Sequence, residues 1–196
     1  MMRYHYSEFS PTIREPSLVR LFFGLEIPGN ITAKLLQVKT PIAGARWQTD
    51  AQLHLTLAFL GEIQEEHTER VRNSARSVIH SSFELEASGL GCFGHADNPK
   101  TLWAGVCPET ELTRFQQKLA GQLNARGFTL KNPSFKPHIT ISRFRNNPGP
   151  VSGLIGEYQN TRFGRWMVRE FVLFESTPGP QGSVYTVLER YPLSAR

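Results

Sequence analysis

The sequence predicts an α+β fold made of two pseudo-symmetric lobes that face each other across a cleft. Three observations support this prediction: apolar runs with strand-like alternation, amphipathic helical segments between them, and a strand–helix–strand unit that occurs twice. Hydrophobic residues make up 39% of the 196 residues and charged residues 20%, so the chain can bury a core. A duplicated unit would supply one lobe from each copy.

The first unit begins with an apolar run over 21–27, which predicts a strand closed by Pro28. Asn30 is expected to cap a helix that ends before Pro41, with one face formed by Ile31, Leu35 and Val38. The next strand is predicted over 53–60, where large apolar residues alternate with polar or small ones. Gly61 is expected to end it.

The rest of the chain is assigned from the same patterns. Helical periodicity predicts a helix over 65–80 and another with Pro108 in its first turn and Arg126 with Gly127 at its end. Further strands are predicted over 83–90, 102–107, 138–144, 169–175 and 184–190, and 146–165 is interpreted as a long loop. Residues 1–19 are expected to form a flexible extension, and 20–196 a single two-lobed domain.

The repeat is visible in two short stretches. The run from Leu21 to Leu25, followed by Pro28, a helix and the His54 strand, parallels the run from Leu102 to Val106, followed by Pro108, a helix and the His138 strand. Gly24 precedes the first histidine by 30 positions, and Gly105 precedes the second by 33. Chance likeness of two strand–helix segments is the alternative explanation.

A His-x-Thr pair lies inside an alternating apolar run in each copy, as His54 with Thr56 and His138 with Thr140. Residues two apart in a strand project from the same face, so each histidine stands beside its threonine. The opposite face would be anchored in the core by Leu55, Leu57, Ile139 and Ile141. For either motif alone, a half-buried histidine bonded to a neighbour is an equal alternative. Their matching places in the repeat favour one shared functional site.

The remaining histidines lack this setting. We expect them to be exposed or to cap helices: His5, His67, His80 and His95.

With these motifs the sequence resembles the two-histidine phosphoesterases, specifically the LigT-like RNA 2′,3′-cyclic phosphodiesterases. The resemblance extends over about 20–193. Four stretches carry it in order and spacing: Arg20-Leu21-Phe22-Phe23, the run from Leu53 to Glu62, Pro137-His138-Ile139-Thr140 with Arg143, and Tyr185-Thr186 before Leu193. It implies lobes of mainly antiparallel sheet with outer helices. It also implies metal-independent opening of RNA terminal 2′,3′-cyclic phosphates to 2′-phosphates, with no cofactor.

The chemistry of such a reaction suits two histidines. One must deprotonate the attacking water and the other must protonate the leaving ribose oxygen, which predicts a bell-shaped pH profile. By analogy with the family, His54 is assigned as the general acid and His138 as the general base. The hydroxyls of Thr56 and Thr140 would donate to the non-bridging phosphate oxygens.

Arg143 matches the arginine of the family that follows the second motif. Strict strand alternation would place it on the face opposite His138, so it reaches the phosphate only if the strand bulges, twists or ends there. A surface or capping arginine is the alternative.

Two aromatic residues are further candidates for the site. Phe22 and Trp103 occupy matching positions of the repeat, each two residues before the glycine, and could stack on a nucleobase. Core packing is the alternative for both. Five basic residues could form a rim that tracks an RNA backbone, and a solvated surface is an equal alternative for them: Lys131, Lys136, Arg145, Arg162 and Arg165.

Four other functions share the site with this interpretation or compete with it. The same site could join RNA ends through a 2′-5′ linkage by the reverse reaction, or the fold could bind RNA or nucleotides without catalysis. A metallohydrolase is disfavoured because His-Glu-x-x-His is absent and Asp50 and Asp97 are the only aspartates. No Gly-x-Ser-x-Gly element suggests a serine hydrolase.

Charge and cysteine content agree with an intracellular RNA enzyme. The net charge of +5 and the pI near 9.5 favour an anionic partner, either an RNA ending in a 2′,3′-cyclic phosphate or a small cyclic nucleotide. Cys92 and Cys107 lack paired spacing and fit a reducing compartment. We therefore expect a cytoplasmic protein with no membrane segment, no obligate protein partner and no need for more than a monomer.

Overall fold

The computed structural model describes residues 17–130 and 135–195. In those residues one continuous sheet carries α-helices on one face. In chain order, the elements are β1 (Leu18–Glu26), α1 (Gly29–Leu36), β2 (Ala45–Trp47), β3 (His54–Gln64), α2 (Thr68–Arg76), β4 (Phe83–His95), β5 (Asn98–Cys107), α3 (Glu109–Ala125), β6 (His138–Phe144), α4 (Ser152–Tyr158), β7 (Arg162–Val168), β8 (Glu170–Gly179) and β9 (Gly182–Pro192).

The sheet consists of two halves joined at its centre. Its strand order is β7-β4-β5-β6-β3-β1-β8-β9, with β2 paired to β6. The strands of the named pairs run antiparallel, and the first half (β3, β1, β8 and β9) meets the second half (β6, β5, β4 and β7) through the residue pair Leu55 and Ile139. The predicted α+β fold is confirmed, with the two lobes formed as halves of one sheet.

The strand–helix–strand repeat is present in the structure, but its alignment shifts. In each copy the strand before the helix pairs with the histidine strand after it, β1 with β3 and β5 with β6. Thr56 pairs with Gly24, whereas Thr140 pairs with Trp103. Phe22 instead lies opposite Phe59. In the structure Trp103 therefore corresponds to Gly24 and not to Phe22. The predicted alignment, which matched the two glycines, is wrong by two residues.

Alternation along the central strands separates a core face from a cleft face. Leu55, Leu57, Ile139 and Ile141 are all buried in the main hydrophobic cluster. The histidine and threonine of each motif alternate with them and are only half-buried. Since the helices pack against the apolar face, the polar residues of both motifs lie on the other one.

The helices tie the two halves together. Helix α1 belongs to the first half but contacts β7 of the second, where Ile31 lies directly over Gly164. Helix α3 belongs to the second half, yet it contacts β3, and its Phe115 packs against Phe171 of β8 at 5.2 Å between ring centroids. Each half therefore completes the core of the other.

Several predicted boundaries move for local reasons. The carbonyl of Pro28 accepts the N–H groups of Ile31 and Thr32, so α1 begins at Gly29 and Asn30 is not its cap. Strand β3 continues past Gly61 to Gln64, because this glycine takes a φ of 78° within a bulge.

Two helix boundaries also change. Pro108 precedes α3 as its N-cap and is not in its first turn. The predicted helix over 65–80 divides into a 3₁₀ turn, Glu65–His67, and the shorter α2. The N–H of Val78 turns back to the carbonyl of Ala75, which closes that helix early.

The predicted long loop over 146–165 is wrong. It contains α4 and the first part of β7, which pairs with β4. Leu154, Ile155 and Tyr158 pack one side of α4 against the core, a pattern obscured by the glycines beside them. The three-residue strand β2 was not predicted, because a segment so short carries no periodicity.

The proposed N-terminal extension lies almost entirely outside the described residues, which begin at 17. Its last two residues, Leu18 and Val19, belong to β1 and pair with Gln64 and Ile63. The division into an extension and a single domain stays a prediction.

We predict that Phe115→Ala lowers the free energy of unfolding by about 3 to 5 kcal/mol, because the ring is fully buried and the cavity would lie between the two halves. Denaturant unfolding followed by circular dichroism measures this change. A single transition for both halves is expected, since they share one core. The control is Gln117→Ala on the exposed side of the same helix, which should have little effect. Separate transitions for the two halves would contradict the shared core.

Candidate active site

The two His-x-Thr motifs lie side by side at the centre of the sheet. Leu55 and Ile139 are paired across antiparallel strands, so the register places His54 opposite Thr140 and Thr56 opposite His138. All four side chains share the cleft face, as the alternation predicts. The repeat thus brings both imidazoles to one site.

Both imidazoles are held in the same way. Nδ1 of His54 lies 2.8 Å from the carbonyl oxygen of Gln52, and Nδ1 of His138 lies 2.7 Å from that of Lys136. A carbonyl can only accept, so each Nδ1 carries the proton and donates it to the residue two positions upstream. This bond sets the tautomer, so Nε2 of each ring carries no proton and can accept one. Sequence reasoning missed it, because every residue type supplies a carbonyl.

The surroundings of the two histidines are not identical. Nε2 of His54 lies 3.1 Å from Oγ1 of Thr56. In the neutral imidazole this nitrogen is an acceptor, so the threonine hydroxyl donates to it. Among the described contacts, no corresponding bond joins His138 to Thr140. Protonation of His54 would turn its Nε2 into a donor and release the hydroxyl of Thr56 for another acceptor.

Burial and positive charge lower the pKa of both histidines. Burial lowers the pKa of His54 to about 4, opposed by its hydrogen bond to Gln52 and reinforced by the charges of Arg143 and His138. Burial also lowers the pKa of His138, with the same opposing effect from the Lys136 carbonyl and further lowering by Arg143. An anion bound between them would act in the opposite direction and favour the protonated forms.

Arg143 reaches the cleft through a bulge in its strand. Trp103 pairs with Thr140, but its neighbour Leu102 pairs with Ser142, so Ile141 is the extra residue in β6. Ile141 and Ser142 are consecutive buried residues, and Arg143 after them is exposed. The bulge therefore reverses the alternation. Arg143 lines a small cavity together with Tyr185, and its charge lowers the pKa of both histidines.

An aromatic cluster surrounds His54. The rings of Phe22 and Tyr185 lie 4.9 Å and 4.8 Å from its imidazole, and Phe174 stacks on Phe22 at 4.9 Å. Phe22 is only 2% exposed, so it forms the wall of the site and is not a free stacking platform. Tyr185 is half-buried at the edge of the cluster. Sequence reasoning missed Tyr185 as a site residue, although the β9 stretch that carries it was part of the resemblance.

Trp103 and Phe93 lie beside His138. Phe93 packs edge-on against the imidazole at 4.9 Å, and the ring of Trp103 is 6.3 Å away. The Lys136 ammonium lies 4.6 Å from the centroid of Trp103 and covers one face. The indole rests on the backbone of Gly91, where a Cβ would come within 2.3 Å of it. The structure therefore places Trp103 in the site and requires a glycine beneath it.

The predicted basic rim is only partly assembled. Lys131 lies outside the described residues, and Lys136 lies beside His138. Arg162 and Arg165 are engaged by Glu86 at 3.7 Å and 3.5 Å along β4 and β7. Arg145 lies near Arg143 and Arg46 in a small cavity.

His80 is buried, contrary to expectation. It is 8% exposed and packs edge-on against Phe83 and Phe115, on the core face away from the cleft. It is therefore a packing residue.

Over residues 17–130 and 135–195, no three His, Cys, Asp or Glu side chains come together as metal ligands. Within the same residues, no helix is long and apolar enough to cross a membrane.

We predict that sulfate raises the pKa of His54. Without an anion the imidazole should titrate near 4, because burial and Arg143 disfavour the imidazolium, and a bound dianion compensates for both effects. NMR titration of the His54 ring protons, assigned with His54→Gln, measures the shift. Sulfate stays dianionic over the range, so the anion itself does not titrate. An unshifted value near 6.5, with and without sulfate, would contradict the prediction.

We predict that Gly91→Ala displaces the indole of Trp103 and destabilises the protein by about 1 to 3 kcal/mol, as expected for overpacking. The indole N–H signal in NMR and thermal unfolding report the two effects. Gly121→Ala in α3 is the control, because apart from the backbone of the helix itself no atom of the described residues lies within 4 Å of the added methyl group, and a helical alanine is favoured. An unmoved indole signal in Gly91→Ala would refute the contact.

The match to known proteins covers most of the chain. The family model described as the 2′-5′ RNA ligase superfamily matches residues 38–179. A protein from Archaeoglobus fulgidus named RNA 2′,3′-cyclic phosphodiesterase is 31% identical over 170 residues, covering 85% of this chain and 96% of its own. A protein of the same name from Thermus thermophilus is 32% identical over 187 residues, covering 89% and 90%.

Solved structures agree with the sequence matches. TT0787 of Thermus thermophilus superposes with a TM-score of 0.76 at 29% identity, covering 90% of this chain and 99% of that one. Escherichia coli LigT complexed with 3′-AMP gives 0.73 at 26% identity, with the same coverage. The predicted LigT-like family is confirmed. From its paired motifs, its sheet and these relatives, the chain belongs to the 2′-5′ RNA ligase superfamily of two-histidine phosphoesterases.

Proposed function

We propose that this protein opens the 2′,3′-cyclic phosphate at an RNA end to a 2′-phosphate, without a metal ion. The observation that carries the proposal is the matched pair of histidines, each with Nδ1–H bonded to a backbone carbonyl and Nε2 left for chemistry. The relatives named RNA 2′,3′-cyclic phosphodiesterase support the substrate class. A 3′-nucleotide bound to LigT supports a nucleotide phosphate as ligand of this fold.

In the proposed reaction, Nε2 of His138 takes a proton from water as the water oxygen bonds to phosphorus. The bond between phosphorus and O3′ breaks on the opposite side, and Nε2–H of His54 gives its proton to O3′. The product is a 2′-phosphomonoester with a free 3′-hydroxyl. His54 ends neutral and His138 protonated, so a proton must pass between them or through solvent before the next turnover.

Threonine and arginine side chains stabilise the charge that develops on phosphorus oxygens. The hydroxyls of Thr56 and Thr140 donate to the two non-bridging oxygens, and Arg143 supplies a fixed positive charge. In the free protein the hydroxyl of Thr56 donates to neutral His54. When His54 is protonated, its Nε2 no longer accepts this bond, and the hydroxyl can donate to the phosphate. Protonation of His54 therefore supplies the general acid and frees the Thr56 hydroxyl at the same time.

The assigned acid needs a proton that it lacks in the free protein. The pKa of His54 is about 4 there, and the anionic substrate must raise it. The free protein therefore contains little of the form with protonated His54 and neutral His138 at neutral pH. This is consistent with binding of the phosphodiester and uptake of a proton being coupled.

The second candidate function is 2′-5′ RNA ligation at the same site, the reverse of cleaving a 2′-5′ linkage to a 2′,3′-cyclic phosphate. The description of the matching family favours it. An RNA 5′-hydroxyl takes the place of water: Nε2 of His138 takes its proton as O5′ bonds to phosphorus, the bond between phosphorus and O3′ breaks, and His54 protonates O3′, which leaves a 2′-5′ linkage.

We predict that His54→Gln and His138→Gln each lower the hydrolysis rate of a short RNA ending in a 2′,3′-cyclic phosphate by at least about a hundredfold, the usual contribution of one general acid or base. Activity in excess EDTA should equal that in its absence. The assay is chromatography of the products, with the 2′- and 3′-phosphates as standards. His67→Gln is the control, because His67 lies at the start of α2 away from the cleft.

The outcomes separate the alternatives. Loss of activity in EDTA would exclude the metal-independent mechanism. RNA that binds without being hydrolysed would favour a binding module, and a 2′-5′ linked product from two RNA ends would favour ligation.

A further inference from the structure

Two arginines lie directly opposite each other beside the catalytic cleft. Arg46 of β2 pairs with Arg143 of β6 in the antiparallel register. Like charges at opposed positions of a strand pair repel and destabilise the pair. The sheet therefore carries a local electrostatic cost at the edge of the site, and a bound anion would remove it.

A third arginine extends this charge away from the histidines. Arg145 lies two residues beyond Arg143, about 7 Å along the chain, and its N–H bonds to the carbonyl of Gly44 so that the pairing with the β2 segment continues. Arg46, Arg143 and Arg145 line one cavity of about 110 Å³, together with Gln52 and Tyr185. Because Tyr185 contacts His54 and the Gln52 carbonyl orients it, this cavity adjoins the catalytic centre.

The three guanidinium groups are not neutralised by the described residues. No carboxylate of residues 17–130 or 135–195 lies within 4.0 Å of any of them as an ion pair, whereas Arg162, Arg165 and Arg190 all have glutamate partners. Arg46 also lies beside Gly182 in the turn between β8 and β9, where the amide of Gln52 is held by the carbonyl of Ser183 at 2.9 Å. The Gln52 amide is thus already engaged, and the three guanidinium groups are the charged donors that the cavity offers to an anion.

The cavity continues as a groove. A larger cavity of about 670 Å³ shares Arg46, Arg145, Gly182 and Ser183 with the first one and extends to Arg20. Glu62 and Glu175 line its far part, so the region that favours an anion is the end formed by Arg46 and Arg145. This end can therefore hold a second phosphate, next to the one bound at the two histidines.

We propose that Arg46 and Arg145 bind the phosphodiester on the 5′ side of the terminal nucleotide, so that the enzyme acts on RNA chain ends in preference to mononucleotides. This inference rests on the proposed function. The cyclic phosphate occupies both O2′ and O3′ of the last ribose, so the only other phosphate near it is the one on O5′. Arg143 lies between the two positions and can contact the first, while Arg46 opposite it and Arg145 beyond it face the second.

The test compares three substrates: a dinucleotide ending in a 2′,3′-cyclic phosphate, the same dinucleotide with an uncharged methylphosphonate linkage, and adenosine 2′,3′-cyclic phosphate. Wild-type kcat/KM should be at least about tenfold higher for the charged dinucleotide than for its neutral analogue, as a charge-assisted hydrogen bond predicts. In the double variant Arg46→Gln with Arg145→Gln the ratio should fall towards one. Arg114→Gln, an exposed arginine of α3, is the matched control and should keep the wild-type ratio.

Two further measurements make the result decisive. Thermal unfolding should show the double variant as stable as wild type or more stable, because it removes the opposed charges, so a lost preference cannot be ascribed to misfolding. Calorimetric binding of both dinucleotides to His138→Gln reports the subsite without turnover, and the charged one should bind more tightly.

Equal kcat/KM for the charged and neutral dinucleotides in wild type would overturn the inference and leave the proposed function intact. A preference that survives in the double variant would also overturn it. If none of the three substrates is hydrolysed, the proposed function fails, and equal binding of the two dinucleotides would then refute the subsite as well.

Discussion

The pairing of Leu55 with Ile139 is the contact on which the site depends. Both side chains are fully buried, and they join the two halves of the sheet at its centre. Because side chains alternate along a strand, burying these two residues forces the neighbouring histidines and threonines onto the other face. The same apolar contact that closes the core therefore sets the positions of the two imidazoles and the two threonines on the cleft face.

The two halves of the site are alike in how they hold the imidazoles and differ in the residues around them. The carbonyl bonds are equivalent, so both rings present the same nitrogen. The positions five residues after each histidine are not equivalent, since Phe59 follows the first motif and Arg143 the second. Phe59 packs with Phe22 at 6.5 Å, while Arg143 places a charge near both rings. One half thus contributes an apolar wall and the other a cation.

Much of this arrangement could be predicted from the sequence. Alternating apolar residues and the repeated His-x-Thr pairs located the central strands, their buried faces and both histidines, since those features depend on residue type. The resemblance supplied Arg143, and the alternation showed that only a distorted strand could bring it to the cleft. The bulge at Ile141 provides that distortion.

The features that were missed depend on the folded chain. Backbone carbonyls carry no sequence signal, so the groups that orient the histidines were invisible. Contacts between distant segments were equally hidden, which is why Tyr185 of β9 and Phe93 of β4 were not placed beside the imidazoles. Phe22 and Trp103 were matched because the two copies were aligned on their glycines. In the sheet the residue opposite the motif threonine is Gly24 in the first copy and Trp103 in the second, so that alignment was wrong by two residues.

Helices α1 and α3 each pack against the half of the sheet to which they do not belong, and this packing restricts motion between the two halves. A hinge between the halves would have to separate Ile31 from the strand of Gly164 and Phe115 from Phe171 at the same time. Both contacts lie in the close-packed core, where such openings are costly. The distance between the two imidazoles is therefore set by the packing of the core beneath them, and the halves hold it as one rigid scaffold.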